Sequence, residues 1–129
     1  MDEIKLARFF SMVGNNFEFG NWAVDLKFID ADEMKQITGN ATDFAVTCYK
    51  DNVEKACVFM NTEAKYCDWD KPEYTLIHEL IHVMFHTVDE HIRDNIKKQK
   101  LYTILEERFL NNMSYTMYNL LEENKDGFT

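Results

Sequence analysis

The sequence predicts an α+β domain, and three observations carry that reading. An alternating stretch over 22–29 and two β-rich runs over about 42–49 and 54–61 lie between segments of helical period. The last third of the chain is helical in pattern, and one Pro and four Gly in 129 residues leave little room for linkers. The simplest organisation is a single domain, 1–129, long enough to bury a substantial core.

Taken in order, Asp2 caps a first helix whose apolar face is Ile4, Leu6, Ala7, Phe9, Phe10 and Val13, ending near Gly14. Residues 15–20 read as a turn. The strand that follows puts Trp22, Val24, Leu26 and Phe28 on one side. Asp30 is the expected N-cap of a short helix with Met34 and Ile37 inward and Gly39 as its stop. The two β-rich runs flank Lys50-Asp51-Asn52-Val53, which suits a tight turn and predicts an antiparallel hairpin. Phe44, Val46 and Cys48 share one face of the first run, and Cys57 and Phe59 one face of the second. A polar loop over 62–71 leads to Pro72, which fits the first turn of a helix. The apolar pattern lapses over 86–91, and the cations Arg93, Lys97, Lys98 and Lys100 read as a solvated face. A long final helix is expected from about Leu101 to Glu122, with Leu101, Leu105, Phe109, Met113, Met117, Leu120 and Leu121 on its apolar side.

Hydrophobic residues at 46% and charged residues at 29% describe an ordinary globular chain. A formal charge of −9 argues against nucleic-acid backbones and anionic membranes as partners. Met1-Asp2-Glu3-Ile4 has neither the cations nor the apolar run of a secretory signal, and no later segment approaches a membrane span. Cys48, Cys57 and Cys67 form no disulfide framework and no close CxxC pair, so a reduced, cytoplasmic chain is expected.

The chemistry concentrates in His78-Glu79-Leu80-Ile81-His82, within an otherwise apolar helical run from Tyr74 to Phe85. Residues four apart share a helix face, so His78 and His82 present two imidazoles suited to two corners of a tetrahedral Zn²⁺ site. Glu79 follows the first His directly, where its carboxylate can act on a water held in an open metal position. A catalytic zinc normally takes a third protein ligand. His86 extends the ladder, but about 12 Å of rise over eight residues is too far for one ion to span. A Gly-turn motif of the form HExxHxxGxxH is excluded by Phe85 and Val88. Asp89 and His91 are expected just past the helix, where they could fold back. Glu106-Glu107 is the carboxylate pair embedded in the last helix. Glu106 lies nearer the middle of the apolar stripe with Tyr102, Phe109, Leu110 and Met113. Glu107 has Asn111 one turn on as an acceptor for a ligating imidazole's other nitrogen, and Ser114 two turns on to keep that face small. The second consideration favours Glu107, and Glu106 stays as its alternative.

On these residues the chain resembles the HExxH zincin metallopeptidases, in the gluzincin-like branch with a glutamate third ligand. It is most similar to small cytoplasmic forms carried by phages and mobile elements and to the ImmA/IrrE-type proteases. The segment from Leu76 to Glu90 looks like that family's HELLH helix and the acidic turn after it, and Glu107–Ser114 looks like its E-x-x-A-N-x-F-A run. The resemblance implies a small zincin-like fold: an N-terminal helix, a three-stranded, mostly antiparallel sheet, the HExxH helix and a long C-terminal helix. It also implies that the hairpin over 42–61 supplies an edge strand for extended substrate. His78, His82 and Glu107 would hold Zn²⁺, with Glu79 as general base in peptide-bond hydrolysis on a protein or peptide substrate. Tyr102, Tyr115, Tyr118, His86 and His91 are candidate oxyanion donors. The alternative from another class is a non-catalytic zinc-binding module that meets a protein partner. Glu79 argues for the enzyme, since a purely structural site has no use for a base beside its first ligand.

Overall fold

The computed structural model describes residues 1–16, 22–66, 71–95 and 99–123, with the backbone alone at 16, 87–95 and 99–102. Among the described residues there are four α-helices and three strands, an α+β arrangement as the sequence predicts. In chain order they are α1 (Glu3–Asn16), β1 (Ala23–Ile29), α2 (Ala31–Thr38), β2 (Ala45–Lys50), β3 (Lys55–Asn61), α3 (Pro72–Asn95) and α4 (Gln99–Glu123).

The local signals act where they were expected. The Asp2 carboxylate accepts from the Lys5 amide at 3.0 Å and caps α1. Asp30 and Glu33 form a reciprocal capping box at the start of α2, and Gly39 ends that helix at φ 85°, a conformation that costs glycine nothing. Pro72 is the first residue of α3. α1 runs through Gly14 to Asn16, past its expected stop, while 17–20 of the predicted turn lie outside the described residues, as does 67–70 of the loop before α3.

The sheet departs from the mostly antiparallel expectation. Its order is β1-β3-β2, with β2 antiparallel to β3 and β1 parallel to β3. The predicted hairpin forms, but β3 inserts between β2 and the earlier β1. The reason lies in composition: Ala56, Val58 and Met60 of β3 are all buried, and a strand that apolar belongs in the middle. The crossover through α2 and β2 gives the chain the length a parallel return requires. The face of the hairpin that holds Val46, Cys48, Cys57 and Phe59 is the outer one, exposed or half-buried. Thr47 and Tyr49 belong to the opposite face by strand alternation, on the side of α3.

α3 is the central helix, packed against α1, β2 and β3 on one side and against α4 on the other. Leu76, Ile77, Leu80, Ile81 and Val83 are buried, and most of them join Leu6 and Val13 of α1, Val58 and Met60 of β3, and Leu110 and Leu121 of α4 in one core. The helix continues to Asn95 although its apolar pattern lapses after Phe85. No Gly or Pro occurs between Pro72 and Asn95, so nothing in the sequence stops it.

Several predicted inward residues point outward. Ile4 and Ile37 are exposed, while Leu6, Val13 and Met34 are buried. In α4, Leu105, Phe109 and Leu120 are exposed, and the inward row is Leu110, Ser114 and Leu121. Leu101, Tyr102 and the cations at 93, 97, 98 and 100 have side chains outside the described residues. No described helix is long and apolar enough to cross a membrane.

Candidate metal centre

The buried apolar residues of α3 fix which side of the helix meets the core, and this aims His78 and His82 toward α4, both imidazoles half-buried. Their Nε2 atoms are 3.1 Å apart. From α4, the Glu107 carboxylate reaches both rings: Oε2 lies 3.5 Å from His78 Nε2 and Oε1 lies 3.3 Å from His82 Nε2. These three residues are the one described group of His, Cys, Asp and Glu side chains that could hold a metal ion.

The separations fit the ion that the donor set suggests. Ligands at ~2.0–2.1 Å from one Zn²⁺, at tetrahedral corners, stand ~3.3 Å from one another. The two Nε2 atoms stand 3.1 Å apart, and each has one oxygen of the Glu107 carboxylate at 3.3 or 3.5 Å, all close to that value. Two imidazole nitrogens and a carboxylate oxygen are also a donor set zinc accepts in catalytic sites.

Of the alternatives for the third position, Glu106 is half-buried and outside this cluster. Asp89 and His91 are not past the helix, because α3 runs on through both to Asn95; their side chains lie outside the described residues. Glu107 reaches the histidines for a reason other than the Asn111 argument. Asn111 is exposed, and its backbone carbonyl receives the Tyr74 hydroxyl at 3.2 Å; its side chain bonds neither imidazole. Glu107 instead shares the inward row of α4 with Leu110 and Ser114, three and seven residues on. Ser114 is fully buried and turns its hydroxyl back to the Leu110 carbonyl at 2.6 Å, which lets the two helices approach closely.

Glu79 lies on the β2 side of α3. Its Oε2 accepts a hydrogen bond from Thr47 Oγ1 at 2.6 Å, a short contact of the charge-assisted kind. The carboxylate is felt beyond that bond: the Cys48 thiol is held above its ordinary pKa first by burial and then by the Glu79 charge. Two turns along the same helix face, His86 stacks on Tyr49 with ring centroids 3.7 Å apart, and its Nε2–H donates to Asp51 Oδ1 at 2.9 Å. Trp22 meets both rings edge-on. β2 thus touches α3 twice, at Glu79 through Thr47 and at His86 through Tyr49.

The other candidate oxyanion donors divide. His86 is committed to the contacts just given. The Tyr118 hydroxyl is 3.4 Å from Lys71 Nζ, where burial raises its pKa, at the junction of α1, α3 and the far end of α4. Tyr115 is exposed beside Tyr74. Tyr102 and His91 are outside the described side chains. Sequence reasoning missed Thr47, Tyr49, Trp22 and Asp51. A strand threonine carries no motif, and its meeting with Glu79 depends on how β2 lies across α3.

Comparison with protein-family models, with curated proteins and with solved structures returns no significant match.

Proposed function

We propose that the chain is a zinc-dependent peptidase of the HExxH type with a glutamate third ligand. The observation that carries this reading is the cluster of His78 Nε2, His82 Nε2 and the Glu107 carboxylate, one oxygen near each imidazole, beside an acid held by Thr47. His78, His82 and Glu107 would hold the ion, which when bound lowers the pKa of a water toward ~7 and polarises a carbonyl oxygen.

The chain's own residues do the rest. Thr47 occupies Glu79 Oε2, so the other carboxylate oxygen is the one left to take the proton of the attacking water. Glu79 then passes that proton to the leaving amine as the peptide C–N bond breaks. The hydroxyl of Thr47 holds the carboxylate in one rotamer, so little order has to be found at the moment of transfer. The same reading makes the substrate a protein or peptide and the compartment the reducing cytoplasm, supported by three cysteines without a disulfide framework.

The test is Glu79→Gln in zinc-loaded protein, incubated with a proteome-derived peptide mixture and read by mass spectrometry of new N-termini. The wild type is expected to generate new termini. The variant, with its zinc content unchanged, is expected to generate none. Cleavage that persists in Glu79→Gln, or a wild type that holds zinc and cuts nothing, refutes the peptidase reading in favour of a zinc-binding interaction module.

A further inference from the structure

The outward face of α4 is apolar where a solvated helix is expected to be charged. Ile104, Leu105, Phe109, Tyr115 and Leu120 are 46% to 53% exposed. Leu105, Phe109, Asn112, Thr116 and Leu120 follow one another at steps of four, three, four and four, a continuous row along the helix, and every one of them is exposed. From Phe109 to Leu121 there is no charged residue, in a chain with 29% charged residues and a net charge of −9. Phe109 is also held in place, edge-on to Phe85 of α3 at 6.2 Å, so it presents a fixed ring rather than a mobile one.

We infer that this row is the interface of a two-fold dimer, in which α4 of one copy packs antiparallel against α4 of a second. The charge distribution selects both occupant and direction. Two chains of charge −9 repel over most of their surfaces and meet least resistance on a face whose middle is uncharged. The exposed charges that flank it are Arg108 near the start and Glu123 at the finish, while Glu122 turns toward α1 and Lys71. Antiparallel pairing sets Arg108 of each copy near Glu123 of the other, whereas parallel pairing sets like against like.

The row is self-complementary about the same centre. Phe109 and Leu120 are equally distant from the point between Ser114 and Tyr115, so an antiparallel pair centred there seats each Phe109 on the other copy's Leu120. Asn112 and Thr116 fall near the axis, where an amide and a hydroxyl can satisfy one another and fix the register. Residue i meets residue j and j meets i, as a two-fold interface requires. The row from Leu105 to Leu120 is about 23 Å long at 1.5 Å per residue. One helix face of that length is at the small end of specific interfaces, so the dimer is concentration-dependent rather than permanent.

Sedimentation velocity of the full chain from about 1 to 200 µM tests this, a range that spans the affinities expected of small interfaces. The expected mass rises from 15.3 kDa toward twice that value across the series. Phe109→Glu and Leu120→Glu, both at exposed positions, are expected to keep the far-ultraviolet circular dichroism and to remain monomeric throughout. Arg108→Glu weakens the dimer several-fold, and adding Glu123→Arg to it restores association. A wild type that is monomeric at every concentration, or a dimer indifferent to Phe109 and Leu120, overturns the proposal. A dimer sensitive to both but not rescued by the charge exchange overturns the antiparallel register.

Discussion

Removing the Glu107 carboxylate separates a metal ligand from a surface acid. In Glu107→Ala the two histidines stay in place, because α3 is fixed by its buried apolar residues and the Glu107 side chain is itself 45% exposed. The metal-free variant is therefore expected to melt within about 0.5 kcal/mol of the wild type. The effect on zinc is far larger. Structural zinc sites bind with roughly 10–16 kcal/mol over four ligands, or about 3 kcal/mol each, so one lost ligand weakens binding ~100-fold or more. At a free zinc concentration a thousand times the wild-type dissociation constant, binding stabilises the wild type by about 4 kcal/mol and the variant by about 1.4 kcal/mol. For a chain of 129 residues, each kcal/mol moves the melting midpoint by ~3–5 °C. The zinc-dependent rise is then ~12–20 °C in the wild type and ~4–7 °C in Glu107→Ala. Competition with a fluorescent chelator gives the affinity, and differential scanning fluorimetry with and without zinc gives the shift. Glu106→Ala is the control and should stay within about threefold of the wild-type affinity, because Glu106 lies outside the cluster. A Glu107→Ala affinity within threefold of wild type refutes the assignment, as does a Glu106→Ala loss of equal size.

Two further outcomes follow from the packing. Leu110→Ala removes a side chain that is 2% exposed and is expected to cost about 2–5 kcal/mol in chemical denaturation, whereas Leu105→Ala, 52% exposed, should stay within about 0.5 kcal/mol. Equal costs would mean the inward row of α4 is wrongly placed. Thr47→Val deletes the donor to Glu79 at nearly constant volume. It is expected to lower kcat on the order of 10-fold, as the loss of a hydrogen bond to a charged group suggests, with KM and zinc content unchanged and Thr47→Ser restoring the rate. A kcat indifferent to Thr47→Val would remove Thr47 from the account of Glu79.

What the sequence made legible was set by short-range rules. The caps at Asp2 and Asp30, the stop at Gly39, the start at Pro72 and the hairpin between β2 and β3 each depend on a few neighbouring residues, and each forms. The same is true of His78 and His82, four residues apart on one helix. The parallel pairing of β1 with β3 depends instead on which of three strands is most fully covered, and that is settled by α1 and α3 packing over Val58 and Met60. Thr47 reaches Glu79 for the same kind of reason. Its place is fixed by the path of β2 across a helix that begins 22 residues after β2 ends, and no spacing rule spans that gap.

α4 shows where helical periodicity stops being informative. A face can be read from a sequence when apolar residues crowd one side, but α4 has Leu110, Met113, Met117 and Leu121 on one side and Leu105, Phe109 and Leu120 on the other. A wheel that merges the two sets centres on a direction that faces neither neighbour. That is why the wheel taken alone points to Glu106 and not to the favoured Glu107, although Glu107 is the one in line with Leu110 and Ser114. A helix that packs on one partner needs one apolar row; a helix with two rows has two surfaces to cover. α3 covers the first and in doing so brings Glu107 to the histidines. In the proposed dimer the second row is covered by the α4 of another copy, so the feature that blurred the reading of the candidate metal site is the one that makes the interface.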